Sequence, residues 1–338
     1  MTLVELAELC GTSVATVSKA FSGSREISNE TKERIFAIAK QNNCFDKYYK
    51  GPREKNIFAL IFPESESEFY GREIGFLEKA INSRGADTVI ALTRFDPERE
   101  ERLFRELVYR MRVDAVVITG KASLIKNPDE VPLVIIGEAK LDEKQADNVR
   151  SEFSNCICEL IGLVKEYGHR EVGFIGERYT NSKLDIFKRA LRHHGLPVRK
   201  TNIAVSDARF AAAGEEGMRE LIRRGTVPSV IVTAYDQIAY GAMSYAKEQG
   251  YRIPEDVSFV GMDDLSSTDY VNVPLTSVHV HLEDTCEEIV DLLFKKIENR
   301  RYRGRKEIRI PVSVSLRKSL CRRSGDEKSG YVKKPKKE

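Results

Sequence analysis

Apolar residues recur along the chain in two rhythms, and the change of rhythm near residue 57 divides it. In the first 45 residues they fall at helical spacing. Leu3, Leu6, Ala7 and Leu9 form one stripe, and Ile35, Phe36, Ile38 and Ala39 form another. Thr2-Leu-Val-Glu5 fits a capping box, in which hydroxyl and carboxylate satisfy unpaired N–H groups at a helix start. Gly11 ends that helix. Ser13 can cap a second, Val14-Ala-Thr-Val-Ser-Lys-Ala-Phe21, which stops at Ser22-Gly23; a third starts near Ser28 or Asn29. Two short helices around a glycine-containing turn, with a third completing the core, make a helix-turn-helix plan.

From Ile57 onward short apolar runs alternate with amphipathic stretches. Strands are predicted at 57–62, 88–92, 115–118, 133–136, 172–175, 203–205, 229–233 and 257–260. Helices are predicted between them at 74–84, 98–110, 156–167, 184–194, 213–224 and 237–249. Strands separated by such helices imply βαβ units and parallel sheets covered on both faces. Eight strands exceed one ordinary doubly wound sheet. Two similar lobes are expected, with a ligand held where the carboxyl ends of their strands face each other. After residue 320 apolar content nearly vanishes, and 321–338 reads as a disordered basic tail.

Composition narrows the class. Hydrophobic residues make up 41% of 338, enough for large cores, and no apolar run approaches the roughly 18 residues of a membrane span. The start lacks a basic segment followed by an apolar one, so the chain reads as cytoplasmic, with Cys10, Cys44, Cys156, Cys158, Cys286 and Cys321 as reduced thiols. The net charge of +3 is uneven: residues 1–56 carry +2, 317–338 carry +6 and the body between them −5. Basic ends on an acidic body suit a polyanion bound at an end.

The segment Leu3-Val-Glu-Leu-Ala-Glu-Leu-Cys-Gly-Thr-Ser-Val-Ala-Thr-Val-Ser-Lys-Ala-Phe-Ser-Gly23 resembles the DNA-binding head of the lactose/galactose repressor (LacI/GalR) family. Ile27-Ser-Asn-Glu-Thr-Lys-Glu-Arg-Ile35 matches that family's third helix. The resemblance places Val14, Ala15 and Lys19 where the family reads base edges in the major groove. Ser13, Thr16, Ser18 and Ser22 are short hydroxyls suited to phosphates, as are the basic linker residues Lys47, Lys50, Arg53 and Lys55.

Later landmarks continue the likeness: Gly168-His-Arg-Glu-Val-Gly-Phe-Ile175, Tyr235-Asp-Gln-Ile-Ala-Tyr-Gly-Ala-Met243, the stretch ending Gly261-Met-Asp-Asp264, Pro274-Leu-Thr-Ser-Val278 and a final strand in 311–319. They imply a two-lobed, periplasmic-binding-protein-like (type I) α/β effector domain with parallel sheets, behind an all-α head. The expected effector residues are Asp263, Lys183, Phe69, Tyr70, Arg94, Thr119, Arg209 and Phe210, of which Asp263 is the strongest and Asp236 is structural. Two departures stand out. Ser151-Glu152 replaces the family's Asp-Asn, and Lys183 replaces a ligand-gripping Arg, which together suggest an effector unlike the common hexoses.

The implied organisation is a head at 1–46, a shortened linker at 47–56 and a core at 57–320. Within the core, lobe 1 takes about 57–149 plus 278–305, and lobe 2 about 150–277 plus 306–320. The linker lacks the leucine that relatives wedge into the minor groove, and Gly51-Pro52 would break a hinge helix; Tyr48 or Tyr49 are the alternative wedges.

Enzyme chemistry is not expected. Gly71-Arg-Glu-Ile-Gly75 is no dinucleotide fingerprint, and neither a P-loop nor a His-Glu-x-x-His occurs. Cys156 and Cys158 on a helix point apart, His279 and His281 lack further ligands, and His193-His194 at a helix end complement its dipole. No metal and no cofactor are expected. The expected partners are double-stranded operator DNA, a sugar-like small-molecule effector and a second copy in a homodimer, with no membrane. The rival reading is a solute-binding protein without a DNA role.

Overall fold

The computed structural model describes residues 1–24, 26–49, 55–127, 131–137, 146–225, 227–299 and 305–323. Its contacts fall into two units, Met1–Asn56 and Ile57–Glu338. The expectations for Lys50, Arg53 and the tail beyond residue 323 lie outside the described residues.

The first unit is the three-helix head, α1 (Leu3–Leu9), α2 (Val14–Phe21) and α3 (Asn29–Gln41), followed by one turn, α4 (Phe45–Tyr48). Each start is capped as its sequence requires. Thr2 Oγ1 accepts from Glu5 N–H while Glu5 Oε2 accepts from Thr2 N–H; Ser13 and Ser28 accept from Thr16 and Thr31 N–H. Such caps are each worth about 1 kcal/mol. Leu6, Val17, Ala20, Phe21, Ile35 and Ala39 close the core between the helices. The single turn α4 overlaps the start of the segment expected to be linker. There Phe45 packs edge-on against Phe36, so the turn is drawn back onto the head.

The second unit runs β1 (Ile57–Phe62), α5 (Glu68–Asn82), β2 (Asp87–Leu92), α6 (Pro97–Arg105), β3 (Ala115–Thr119), β4 (Leu133–Ile136) and β5 (Asp147–Ser151). It continues with α7 (Phe153–Glu166), β6 (Val172–Glu177), α8 (Asn181–His193), β7 (Ile203–Ser206), α9 (Phe210–Arg223), β8 (Val230–Thr233) and α10 (Asp236–Glu248). The last elements are β9 (Ser258–Asp263), β10 (Thr276–Val280), α11 (Leu282–Glu298), β11 (Glu307–Ile310) and β12 (Val312–Ser315). Two six-stranded sheets result, ordered β11-β5-β4-β3-β1-β2 and β12-β10-β9-β8-β6-β7. All pairings are parallel except β10 with β12. Phe58 to Phe62 and all of β3 are buried, as sheets covered by helices on both faces demand.

The lobe boundaries differ from the expected ones. The chain crosses between sheets after Ser151, after Val280 and between Ile310 and Val312, so 276–280 belongs to the second sheet and 307–310 to the first. Strands β5 and β11 escaped sequence reading because they are polar. In β5, Asp147 is buried against Lys296, and Asn148 donates to the Ile135 and Gly137 carbonyls. That pair is therefore structural. Helices α5, α7, α8 and α9 each begin three to six residues before the predicted starts at 74, 156, 184 and 213. Their added first turns fall outside the periodic apolar stripes from which the starts were read.

Helices α9 and α10 approach through two glycines. A Cβ at Gly241 would lie 1.8 Å from Ala211 O, and one at Gly214 would lie 1.9 Å from Ile238 O. Backbone cannot give way there as a side chain would. Gly241→Ala should therefore lower unfolding stability by about 1–3 kcal/mol through overpacking, read as a lower urea midpoint with unchanged slope. An unchanged midpoint would show that the two helices are not locked in this contact.

Candidate functional site

In the head, α2 buries Val17, Ala20 and Phe21 and leaves Val14, Ala15, Ser18 and Lys19 exposed along its other side. The hydroxyls divide by use. Ser13 Oγ lies 2.9 Å from Thr16 Oγ1, and the Ser22 hydroxyl donates to Lys19 O at 3.0 Å, so these three hold the helix ends in shape. Ser18 faces outward. The Lys19 ammonium is paired with Glu26, whose carboxyl is held below its usual range by that hydrogen bond. Both side chains are at least half exposed, where such pairs are weak and screened by salt, so Lys19 can exchange Glu26 for another acceptor. At the end of the head, the Tyr48 hydroxyl and the Lys47 ammonium both donate to Met1 O, at 2.8 and 3.2 Å. Tyr49 stacks on Phe45 with centroids 4.8 Å apart. Lys47 thus starts from a position folded onto the head rather than on an extended linker.

The second site lies where the strand ends of the two sheets meet. Its deepest groups are carboxylates. Asp263 ends β9 with φ at +103°, a conformation that few non-glycine residues adopt and that needs surrounding structure to hold it. Its Oδ1 lies 3.2 Å from Lys183 Nζ, which also donates to Ala234 O at 2.8 Å and stands over the Phe153 ring. Burial pushes the Asp263 carboxyl up, and Lys183 pulls it back down. Asp236 accepts from Ser277 Oγ and Leu265 N–H, which makes it a fastener of the second lobe.

Arg209 occupies the opening between lobes. Its Nε lies 3.1 Å from Glu177 Oε2, at the end of β6, and its Nη2 lies 3.4 Å from Glu64 Oε1, in the loop after β1. One guanidinium thus joins two buried carboxylates from different lobes. Three rings surround it: Phe95 at 4.9 Å, Tyr179 at 5.6 Å and Phe210 at 4.5 Å from ring centroid to guanidinium. Phe95 and Tyr179 also stack on each other across the lobes, 4.2 Å apart and within 9° of parallel. A second tie runs from Glu68 of α5 to the Ser266 and Ser267 hydroxyls of the other lobe.

The remaining predicted residues are distributed unevenly. Thr119 is buried at the end of β3, its hydroxyl donating to Glu73 Oε2 at 3.3 Å. Tyr70 packs edge-on against Phe62, and Phe69 edge-on against Tyr70, at the start of α5. Phe210 adopts a left-handed backbone, φ +57°, and its N–H donates to the Tyr235 hydroxyl. Arg94, expected at the cleft, is exposed. Consecutive positive φ values at Arg94 and Phe95 turn the chain so that Phe95 enters in its place. Glu152, which stands where the family has Asn, pairs with Arg309 beside the crossing segments. Sequence reading missed Glu64, Glu73, Glu177, Phe95 and Tyr179. Only the placement of Glu64 and Glu177 directly after apolar strands could have flagged two of them.

A helix-turn-helix head on a two-lobed domain with a polar interlobe cleft defines a DNA-binding regulator of the kind that carries its own ligand domain. The pattern of "Bacterial regulatory proteins, lacI family" matches residues 2–44, and that of "Periplasmic binding protein-like domain" matches 162–320. The regulator AscG of Escherichia coli (strain K12) is 26% identical over 311 residues, covering 86% of this chain and 90% of AscG. A transcriptional regulator CelR in complex with cellobiose shares 25% identity with a TM-score of 0.68, covering 95% of this chain and all of that one. A lac repressor dimer bound to operator and the anti-inducer ONPF superposes with a TM-score of 0.68 at 19% identity over 94% of this chain and 98% of that one. The chain belongs to the lacI family and is a DNA-binding transcriptional regulator, not an enzyme. No helix among the described residues is long and apolar enough to cross a membrane.

Glu73 yields a prediction. It is 2% exposed on the cleft side of α5, and burial pushes its carboxyl up to about 8 despite the Thr119 hydrogen bond, with the Asp263 charge adding to the rise. In the unfolded chain the same group ionises near 4.5. Between those values the folded protein holds a proton that the unfolded one has lost, so stability falls as pH rises and levels off above about 8. Glu73→Gln should flatten that decline, seen as a melting temperature less dependent on pH from 5 to 8. Parallel profiles for variant and wild type would mean that Glu73 ionises normally.

Proposed function

We propose that two heads of a homodimer place α2 in successive major grooves of a pseudo-palindromic operator, and that a small polar, sugar-like effector between the lobes modulates that binding. The reading places the protein in the cytoplasm. It assigns Val14, Ala15 and Lys19 to base edges and Ser18, with the cap hydroxyls Ser13, Thr16 and Ser22, to phosphates. The dimer follows the two-fold logic of such operators, and the lac repressor comparison is itself a dimer on operator. The sugar-like class is supported by the CelR–cellobiose likeness and by acceptors and aromatic faces around the cleft.

The observation that carries the effector half is the Arg209 bridge. It joins Glu64 of one lobe to Glu177 of the other, so any ligand entering beside it changes what holds the lobes together. An effector acts only through its different affinity for two lobe arrangements. Asp263 is the acceptor for ligand hydroxyls or amines, and Lys183 orients it. Phe69, Tyr70 and Phe210 supply faces, and Thr119 a hydroxyl. Lys47, with Lys50, Arg53 and Lys55, supplies nonspecific phosphate contact, with little central kinking of the operator.

Two measurements test the halves separately. In a gel-shift titration at physiological salt, Lys19→Ala should lose about 1–3 kcal/mol of discrimination per half-site on operator while random DNA is weakened little. Equal weakening of both would make Lys19 a phosphate contact. Asp263→Ala should bind operator like wild type but respond to effector with an affinity lower by about 1.5–3 kcal/mol, the scale of a charge-assisted hydrogen bond. A wild-type response from that variant would remove Asp263 from the ligand site.

A further inference from the structure

Away from the cleft, the second lobe brings a thiol and two imidazoles together on its outer side. Cys158 lies on α7, and Gly162 follows four residues later on the same helical face. Helix α8 ends at His193 and is capped by His194. The His194 ring lies against Gly162 so closely that a Cβ there would come within 2.9 Å of His194 Cε1. Two further bonds fix its place: Lys165 Nζ donates to His194 O at 2.7 Å, and His194 Nε2 lies 2.8 Å from Cys158 O. The outcome is a Cys158 Sγ to His194 Nε2 distance of 3.5 Å. One donor atom from each of Cys158, His193 and His194 lies within 4.8 Å of the others.

We propose that Cys158, His193 and His194 bind a single transition-metal cation of the Zn²⁺ class, with a fourth position left to solvent. In a tetrahedral centre, sulfur and nitrogen donors sit about 3.6 Å apart and two nitrogens about 3.3 Å apart. The Cys158–His194 pair already meets the first spacing. His193 is exposed and its ring meets His194 edge-on at 5.0 Å, so a side-chain rotation closes the second. One thiolate with two imidazoles favours Zn²⁺, Co²⁺ or Ni²⁺ over Mg²⁺ and Ca²⁺, which take oxygen donors. On binding, the Cys158 thiol releases its proton to solvent as the metal–sulfur bond forms. In this structure the His194 Nε2–H donates to the Cys158 carbonyl; on metal binding the ring proton is held on Nδ1 instead, that hydrogen bond breaks, and the freed Nε2 lone pair goes to the metal. The bound ion would cross-link the last turn of α8 to the middle of α7. Sequence spacing excluded the Cys156–Cys158 pair and assigned His193-His194 to the helix dipole; the donor set emerges only when the two helices pack.

Co²⁺ titration of the full-length chain under reducing conditions tests the site, because a cobalt–thiolate bond absorbs in the near ultraviolet and tetrahedral Co²⁺ absorbs strongly in the visible. The expected result is one equivalent bound with both bands, displaced by Zn²⁺. Cys158→Ser should abolish the near-ultraviolet band, and His193→Gln, at an exposed position, should weaken binding at least about tenfold. Gly162→Ala should also weaken it, by displacing the His194 ring. Zn²⁺ should raise the melting temperature of wild type and leave that of Cys158→Ser unchanged. Absence of the thiolate band in wild type, its persistence in Cys158→Ser, or equal affinity in His193→Gln would each overturn the proposal.

Discussion

Charge taken out of water must be matched, and the interlobe region is organised by that requirement. Glu177 is 1% exposed and Glu64 8%, yet both accept hydrogen bonds from one guanidinium. Removing one partner of a buried pair costs about 3–5 kcal/mol, because the other charge is stranded. Arg209 and Glu177 belong to the same lobe and Glu64 also accepts from the Glu66 and Ser67 N–H groups, so separating the lobes would break only the Arg209–Glu64 arm. The Lys183–Asp263 pair repeats the device inside the second lobe, with the Ala234 carbonyl sharing the ammonium.

The aromatic groups make this tie directional. Phe95 and Tyr179 stack only while the lobes face each other as they do here, and the Arg209 guanidinium lies near both rings and near Phe210. Stacked aromatic pairs add about 0.5–1.5 kcal/mol beyond their burial. The sum is modest, comparable to the free energy a small ligand can redistribute between two arrangements. Three chain crossings, beside Glu152, His281 and Pro311, are the covalent joints about which such a rearrangement would occur.

The head follows a different economy. Its helices are short, so caps at Thr2, Ser13 and Ser28 and a small aromatic cluster of Phe21, Phe36, Phe45 and Tyr48 supply stability that length cannot. Tyr48 and Lys47 fasten the following turn to the amino terminus, which leaves the exposed side of α2 unencumbered apart from the solvent-screened Lys19–Glu26 pair.

Local spacing in the sequence determined the head, because capping hydroxyls and glycine turns act within a few residues. It also determined the strand–helix alternation and the eight apolar strands, because burial on both faces demands continuous hydrophobic runs. Resemblance rather than periodicity named Asp263 and Lys183, each as an expected effector residue; that the two pair with each other is seen only in the tertiary structure. Local spacing could not find β5 and β11, whose polar residues are acceptable only once Lys296 and neighbouring carbonyls arrive from elsewhere in the chain. Nor could it find Glu64, Glu177, Phe95 and Tyr179 as one constellation, since they converge on Arg209 from loops far apart in sequence. Polar side chains at strand and helix ends carry no periodic signal, and only the tertiary structure decides which of them share a charge.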